Sequence, residues 1–317
     1  MQTDLAARAR DYIPVFSLIA LVLLATSFDR GFAAPGNLLA VTADTMTLFL
    51  MAAGATLVIM TGGIDLSVQA VASMTSCIVA VLVPEWGLIA VFVALAAGAL
   101  SGLASGVVTV YLRIPSFIAN LAIGGIVTTV AYVVSDTRSV LIARDVSNRW
   151  LGWASGPTPL GINAEILVGL VSLIVLTVLL QRTQFGRRLR AVGAQERAVI
   201  ASGIDVNRIK LLTFVISGFM AGLAGVVMAA RLGSGSPTLA NEFLLPAIAA
   251  IIVGGTALTG GIGSVWRTFV GALIIAVVRI GMTFIGVTVF AQQIVFGIML
   301  VAAVAITMDR KKVSVIK

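Results

Sequence analysis

Residues 181–210 read QRTQFGRRLRAVGAQERAVIASGIDVNRIK and lie between two apolar runs, ILVGLVSLIVLTVLL at 166–180 and LLTFVISGFMAGLAGVVMAA at 211–230. Runs of this continuity are what a helix needs to cross a hydrocarbon core of about 30 Å. A membrane β-barrel would alternate polar and apolar residues over segments of about 10 residues, and these runs do not alternate. The basic stretch between them is therefore a loop presented at the membrane surface, and the flanking runs are spans.

The same pattern repeats outward along the chain, which is 59% hydrophobic and only 11% charged, with a mean hydropathy of +1.11. Spans are expected at 13–28, 38–60, 66–83, 87–112, 116–135, 165–180, 211–230, 245–258, 265–285 and 288–307. The fold class is thus an all-α integral membrane protein, a polytopic bundle of about ten transmembrane helices, some of them interrupted. One membrane domain at 13–308 is expected between short tails at 1–12 and 309–317, with a long loop at 136–164 on the face opposite residues 181–210.

The net charge of +8 does not imply a nucleic-acid partner, because the basic residues follow the topology. With both termini cytoplasmic, fifteen of the 21 Lys and Arg fall on the cytoplasmic side, in keeping with the positive-inside rule. Arg30, Arg138, Arg144, Arg149 and Arg231 fall outside, and Arg279 lies within a span. An arginine there snorkels, pairs, or faces a wet cavity. Arg8 and Arg10 precede the first apolar run as they would in a signal peptide. Phe28, Asp29 and Arg30 follow it in place of small residues, so it is read as a retained anchor.

Several chemistries are disfavoured at once. The chain has no histidine, the commonest metal ligand and general base, and its one cysteine, Cys77, sits in an apolar span. Asp44, Asp65 and Glu165 stand far apart in sequence with no paired spacing, so no carboxylate catalyst is indicated. Neither a metal nor a cofactor is expected. Five glycines crowd into 254–263, yet Gly260 is followed by Gly261 and Ile262 where a phosphate loop needs Lys and Ser or Thr. A dinucleotide fingerprint starting at Gly261 meets Trp266 where it needs glycine.

Glycines mark packing and breaks instead. Gly98, Gly102 and Gly106 share one helix face, as do Gly218 and Gly222, which lets helices approach closely in lipid. Thr-Gly-Gly-Ile occurs twice, at 61–64 and 259–262. In the first copy Gly62 and Gly63 end an apolar run, and Asp65 is placed to cap the next helix. An ion site at Asp65 is the second reading.

Four blocks carry a family resemblance over nearly the whole chain: GATLVIMTGGIDLSV at 54–68, residues 186–210, ARLGSGSP at 230–237 and AIAAIIVGGTALTGG at 247–261. They resemble the permease subunits of bacterial ATP-binding cassette sugar importers of the ribose, xylose and galactose (carbohydrate uptake 2) type. Gln69, where the family usually has glycine, and Leu245 and Pro246, where it often has acidic residues, depart from the pattern and leave the sugar open.

The resemblance implies a cytoplasmic ATPase, a periplasmic sugar-binding protein, a second permease protomer that is identical or related, and surrounding lipid, all at the bacterial inner membrane. It makes 181–210 the coupling loop, with Gly193, Glu196, Arg197, Ser202, Gly203 and Ile204 seated on the ATPase. The bland reading of the loop, topology and anionic lipid, suits Arg187, Arg188 and Arg190.

Arg138, Arg144 and Arg149 in the 136–164 loop are candidates for docking the binding protein. Asn120 with Phe117, and Gln292 with Phe290, are candidates for the sugar path, because amides pair with hydroxyls and aromatic faces cover apolar sugar surfaces. Buried amides also brace helices against one another. The rival reading is an ion-coupled secondary transporter or facilitator.

Overall fold

The computed structural model describes residues 2–28, 30–159 and 161–307, with side chains for all of these except 2–13, 28, 306 and 307. The expected tail at 309–317 lies outside the described residues. In chain order the helices are α1 (Gln2–Phe28), α2 (Pro35–Met60), α3 (Val68–Trp86), α4 (Leu88–Val110), α5 (Ser116–Val134), α6 (Arg144–Trp150) and α7 (Gly152–Ser155). They continue with α8 (Ala164–Arg182), α9 (Gln184–Ala201), α10 (Val206–Leu232), α11 (Leu244–Val253), α12 (Val265–Phe284) and α13 (Val289–Thr307).

Ten of these helices fall on the ten expected apolar runs. Seven, α2, α3, α4, α5, α8, α10 and α12, are long and apolar enough to cross a membrane, and α1, α11 and α13 carry shorter apolar stretches. The protein is an all-α, multi-pass membrane protein.

One expected span takes a different form. The run at 245–258 yields a helix of 10 residues, about 15 Å long and half of a bilayer core. Glycines are the physical reason: Gly255, Gly260 and Gly261 adopt φ of 85°, 84° and 77°, in the left-handed region that ends a helix. The remaining backbone down to Ser264 is irregular, which membrane depth tolerates only where protein surrounds it.

The core is built on α10 and α2. In α2 every residue from Thr45 to Met60 is buried, and α10 packs on α4, α2 and α3. The two small-residue faces meet there: a Cβ on Gly98 would lie 2.6 Å from the Gly218 carbonyl oxygen, and one on Gly218 would lie 2.8 Å from the Gly102 nitrogen. Larger residues on either face would push the helices apart.

Residues 136–164 are more ordered than a plain loop. Strand β1 (Val140–Leu141) pairs antiparallel with β2 (Ser234–Gly235), Val140 opposite Gly235, and α6 and α7 follow. Trp150 packs over the turn between α3 and α4, where a Cβ on Gly87 would lie 2.9 Å from its ring. That ring is a packing element of the bundle, whereas Trp153 is 41% exposed as an interfacial residue would be.

Candidate coupling surface and transport path

Helix α9 is built to lie along the bundle's end. Thr183 caps it by accepting a hydrogen bond from the Gly186 amide at 3.4 Å. Gly186, Leu189, Val192 and Val199 are its buried residues, while Glu196, Arg197, Ser202 and Gly203 are exposed. Gly203, at φ 76°, ends the helix in a Schellman motif: its amide donates to the Ile200 carbonyl at 3.0 Å, and the Ile204 amide donates to that of Val199 at 3.3 Å. Most of the stretch expected as a loop is thus one helix with a kink at Gln195, where φ is −156° and ψ 77°. Ala194, Gln195, Glu196, Arg197 and Ile200 line an open depression on its outer side.

Besides its buried apolar face, two polar and backbone contacts tie α9 to the rest of the bundle. Lys210 of α10 donates to both carboxylate oxygens of Glu196 at 2.8 Å. The second contact is at Gly193. A Cβ there would overlap the Met60 carbonyl oxygen and the Gly261 amide, and would lie 3.0 Å from the Gly261 Cα. The Gly261 amide itself donates to the Met60 carbonyl at 2.9 Å, and a Cβ on Gly260 would lie 3.0 Å from both the Gly193 oxygen and the Gly62 nitrogen. The two Thr-Gly-Gly-Ile segments, 198 residues apart in sequence, thus meet under α9.

The first of these segments leads into a buried polar knot. Gly62 adopts φ 82°. Asp65, 3% exposed, accepts from the Ser67 amide at 2.9 Å, the Ser67 hydroxyl at 2.7 Å and the Ser217 hydroxyl at 2.7 Å. Its carboxylate therefore closes a turn before α3 and grips α10, while the amides of the first turn of α3 receive nothing from it. Asn120 completes the knot by donating to the Ile64 carbonyl at 3.0 Å and the Ser116 carbonyl at 2.8 Å.

The four path candidates are held apart. Asn120 is fully buried with both amide hydrogens engaged, and Phe117 is 48% exposed. Gln292 donates to Thr283 Oγ1 at 3.1 Å and the Val287 carbonyl at 3.2 Å, while Phe290 is 81% exposed. Each amide braces its own neighbourhood, and no hydrogen bond joins the two sites. At the far end, Arg138 pairs with Asp136 at 3.3 Å, Arg149 stacks over Trp150 at 5.3 Å, and Arg144 opens α6, exposed.

A charged cluster joins residues that the sequence leaves far apart. Asp44 and Glu165, distant in the chain, converge on Arg231, which donates to Asp44 at 2.8 Å and lies 3.8 Å from Glu165. Arg279 lies 3.7 Å from Asp44 and 5.0 Å above the Phe243 ring. The available signal was a balance of intramembrane charge, two carboxylates against two arginines, since such groups pair inside a bundle.

A bundle of membrane-length helices with one halved span and a basic surface helix packed against both Thr-Gly-Gly-Ile segments fits a transport permease. Comparison with known proteins agrees. Residues 37–304 match the family model for the permease component of branched-chain amino acid transport systems. The ribose import permease protein RbsC of Escherichia coli K12 is 34% identical over 300 residues, 94% of this chain and 93% of the relative. Its namesake from Bacillus subtilis 168 is 33% identical over 302 residues, 94% and 92% of the two chains. The L-arabinose transport system permease protein AraH of Escherichia coli K12 is 36% identical over 208 residues, 66% and 62% of the two chains. No solved structure matches the chain.

The chain belongs to this permease family, the class that includes the permeases of ATP-binding cassette sugar importers of the carbohydrate uptake 2 type. It is a transport component and not itself an enzyme.

Proposed function

We propose that the chain is the transmembrane permease subunit of an ATP-binding cassette importer in the bacterial inner membrane, with N- and C-termini cytoplasmic. It moves a monosaccharide, a ribose-like pentose or a related sugar, from periplasm to cytoplasm. The names of the ribose and L-arabinose relatives support the substrate class. The observation that carries the mechanism is the close approach of Gly193 to Met60, at the end of α2, and to Gly261, in the irregular segment after α11. A loop that served only topology would need basic residues and no such fit.

A separate cytoplasmic ATPase sits beneath α9 and takes up Glu196, Arg197, Ser202, Gly203 and Ile204. Its closure on ATP shifts α9 as a rigid lever, and Gly193 passes the shift to the breaks at 61–67 and 254–264. Two bundles, one from each permease protomer, then alternate between outward and inward openings, and the ATPase biases that equilibrium. A periplasmic sugar-binding protein docks over 136–164, where Arg138, Arg144 and Arg149 face acidic groups on its lobes. Membrane lipid covers the exposed apolar faces of the outer helices. Asn120 and Gln292 act in this scheme as braces beside the path.

A second reading, an ion-coupled secondary transporter or facilitator, has one observation in its favour: the ionisable cluster at Asp44, Glu165, Arg231 and Arg279. Cross-linking separates the two. Cys77 is buried, so Ile200→Cys, on an exposed side chain of α9, supplies one reactive thiol. The importer reading predicts a cross-link to the co-expressed ATPase that changes with bound nucleotide. Absence of any ATPase adduct from this position, with Leu141→Cys as the opposite-face control, contradicts it.

A further inference from the structure

The Asp44 cluster borders a cavity of about 160 Å³ lined by Asp44, Thr47, Arg231, Phe243 and Arg279. It opens near the end of α10 opposite α9, since Arg231 lies one residue before that helix stops. Sites for drug-sized ligands run to roughly 300–1,000 Å³, so this one suits a single small ring.

Its hydrogen-bonding capacity is only partly used. Arg231 makes one short bond to Asp44, whereas the Arg231–Glu165 and Arg279–Asp44 pairs, at 3.8 and 3.7 Å, are too long for hydrogen bonds. Thr47 Oγ1, on the cavity lining and only 2% exposed, is buried without a hydrogen-bond partner among the described residues, and so is Glu165 Oε2 behind Arg231. Unmade bonds at buried polar atoms are unfavourable, and they mark a place where a further polar group belongs.

Charge selects the kind of ligand. Asp44, Arg231 and Arg279 line the cleft and Glu165 stands behind Arg231 at 3.8 Å, so the formal charges of the four-residue cluster sum to zero and favour a neutral ligand over an anion or a cation. Mixed donors and acceptors beside an aromatic wall fit vicinal hydroxyls, which donate hydrogen bonds to carboxylates and accept them from arginine. We propose that this cleft is a weak binding site for one neutral monosaccharide ring, the first stop inside the permease. The inference rests on the sugar-permease reading above.

The test uses the assembled importer in proteoliposomes for uptake, and the purified full-length permease for saturation-transfer NMR with D-ribose and L-arabinose. Asp44→Asn removes an acceptor, and Thr47→Val removes a hydroxyl that has no hydrogen-bond partner among the described residues. If Thr47 is merely structural, Thr47→Val leaves every sugar signal unchanged.

The expected result is saturation transfer to a transported sugar that falls at least fivefold in both variants, with the thermal midpoint of Thr47→Val at the wild-type value. Equal transfer in wild type and Thr47→Val places binding elsewhere and overturns the site. Uptake of a sugar by the wild type without any transfer to the permease also overturns it, while leaving the importer reading intact. A wild type that takes up neither sugar removes the reading on which the site rests.

Discussion

Gly193 lies against Gly261 with no room between them for a methyl group: a Cβ on Gly193 would stand 3.0 Å from the Gly261 Cα and overlap its amide. The obstacle is backbone, which cannot rotate aside as a flexible side chain can. Gly193→Ala must displace α9 or the 254–264 segment, with a destabilisation of about 1–3 kcal/mol by the usual penalty for overpacking. Sugar uptake per ATP hydrolysed should fall at least tenfold while the protein still inserts. Paired uptake and phosphate-release assays on the reconstituted complex check this, and an unchanged ratio would remove Gly193 from the coupling route.

Glu196 and Lys210 form a partly exposed bidentate pair, with side chains 45% and 24% exposed. Solvent-screened pairs contribute roughly 0–1 kcal/mol, so Glu196→Gln should barely change the thermal midpoint. Its effect should appear in coupling, as a severalfold drop in uptake per ATP. The charge-swapped double variant Glu196→Lys with Lys210→Glu separates two roles. Recovery of coupling assigns the pair to the lever, and a persistent defect assigns Glu196 to direct contact with the ATPase.

The left-handed Gly203 closes the C-terminus of α9, and Gly203→Ala places a Cβ in a conformation that disfavours it by roughly 1–2 kcal/mol. Gly203→Asn should lose less, because asparagine tolerates this region. Hydrogen exchange at the amides of 203 and 204 should accelerate in the alanine variant and stay nearer wild type in the asparagine variant.

Ser217 donates the bond that satisfies Asp65 Oδ2. Ser217→Ala leaves that buried oxygen without its partner, a loss of about 1–3 kcal/mol and more for a charged group. The thermal midpoint of the detergent-solubilised permease should drop accordingly. A midpoint at the wild-type value would mean that the knot at the α2–α3 break is not what holds α10 there.

The positions of the seven membrane-length helices and of the three shorter apolar ones could be read from the apolar runs alone, because in lipid an uninterrupted apolar run has only the helix to satisfy its backbone. The run at 245–258 reads as a span for the same reason. The structure halves it because clustered glycines take left-handed conformations that hydropathy does not register. Both Thr-Gly-Gly-Ile segments stand out in the sequence as repeats, yet their meeting under Gly193 depends on how α2, α9 and the 254–264 segment pack. The Asp44 cluster was hidden similarly: Asp44, Glu165, Arg231 and Arg279 sit on four helices, and nothing local in the chain announces that these four side chains converge. Asn120 and Gln292 stand out as polar residues in apolar spans, but only their partners distinguish a brace from a ligand contact.

In the importer proposed above, ATP hydrolysis beneath α9 drives the permease. Proteoliposomes holding the permease with its co-purified ATPase and binding protein, loaded with ATP, measure it directly through D-ribose and L-arabinose uptake. Sugar should accumulate only with ATP and all partners present, with no response to an imposed proton gradient. Accumulation that follows the proton gradient with the permease alone would contradict the account.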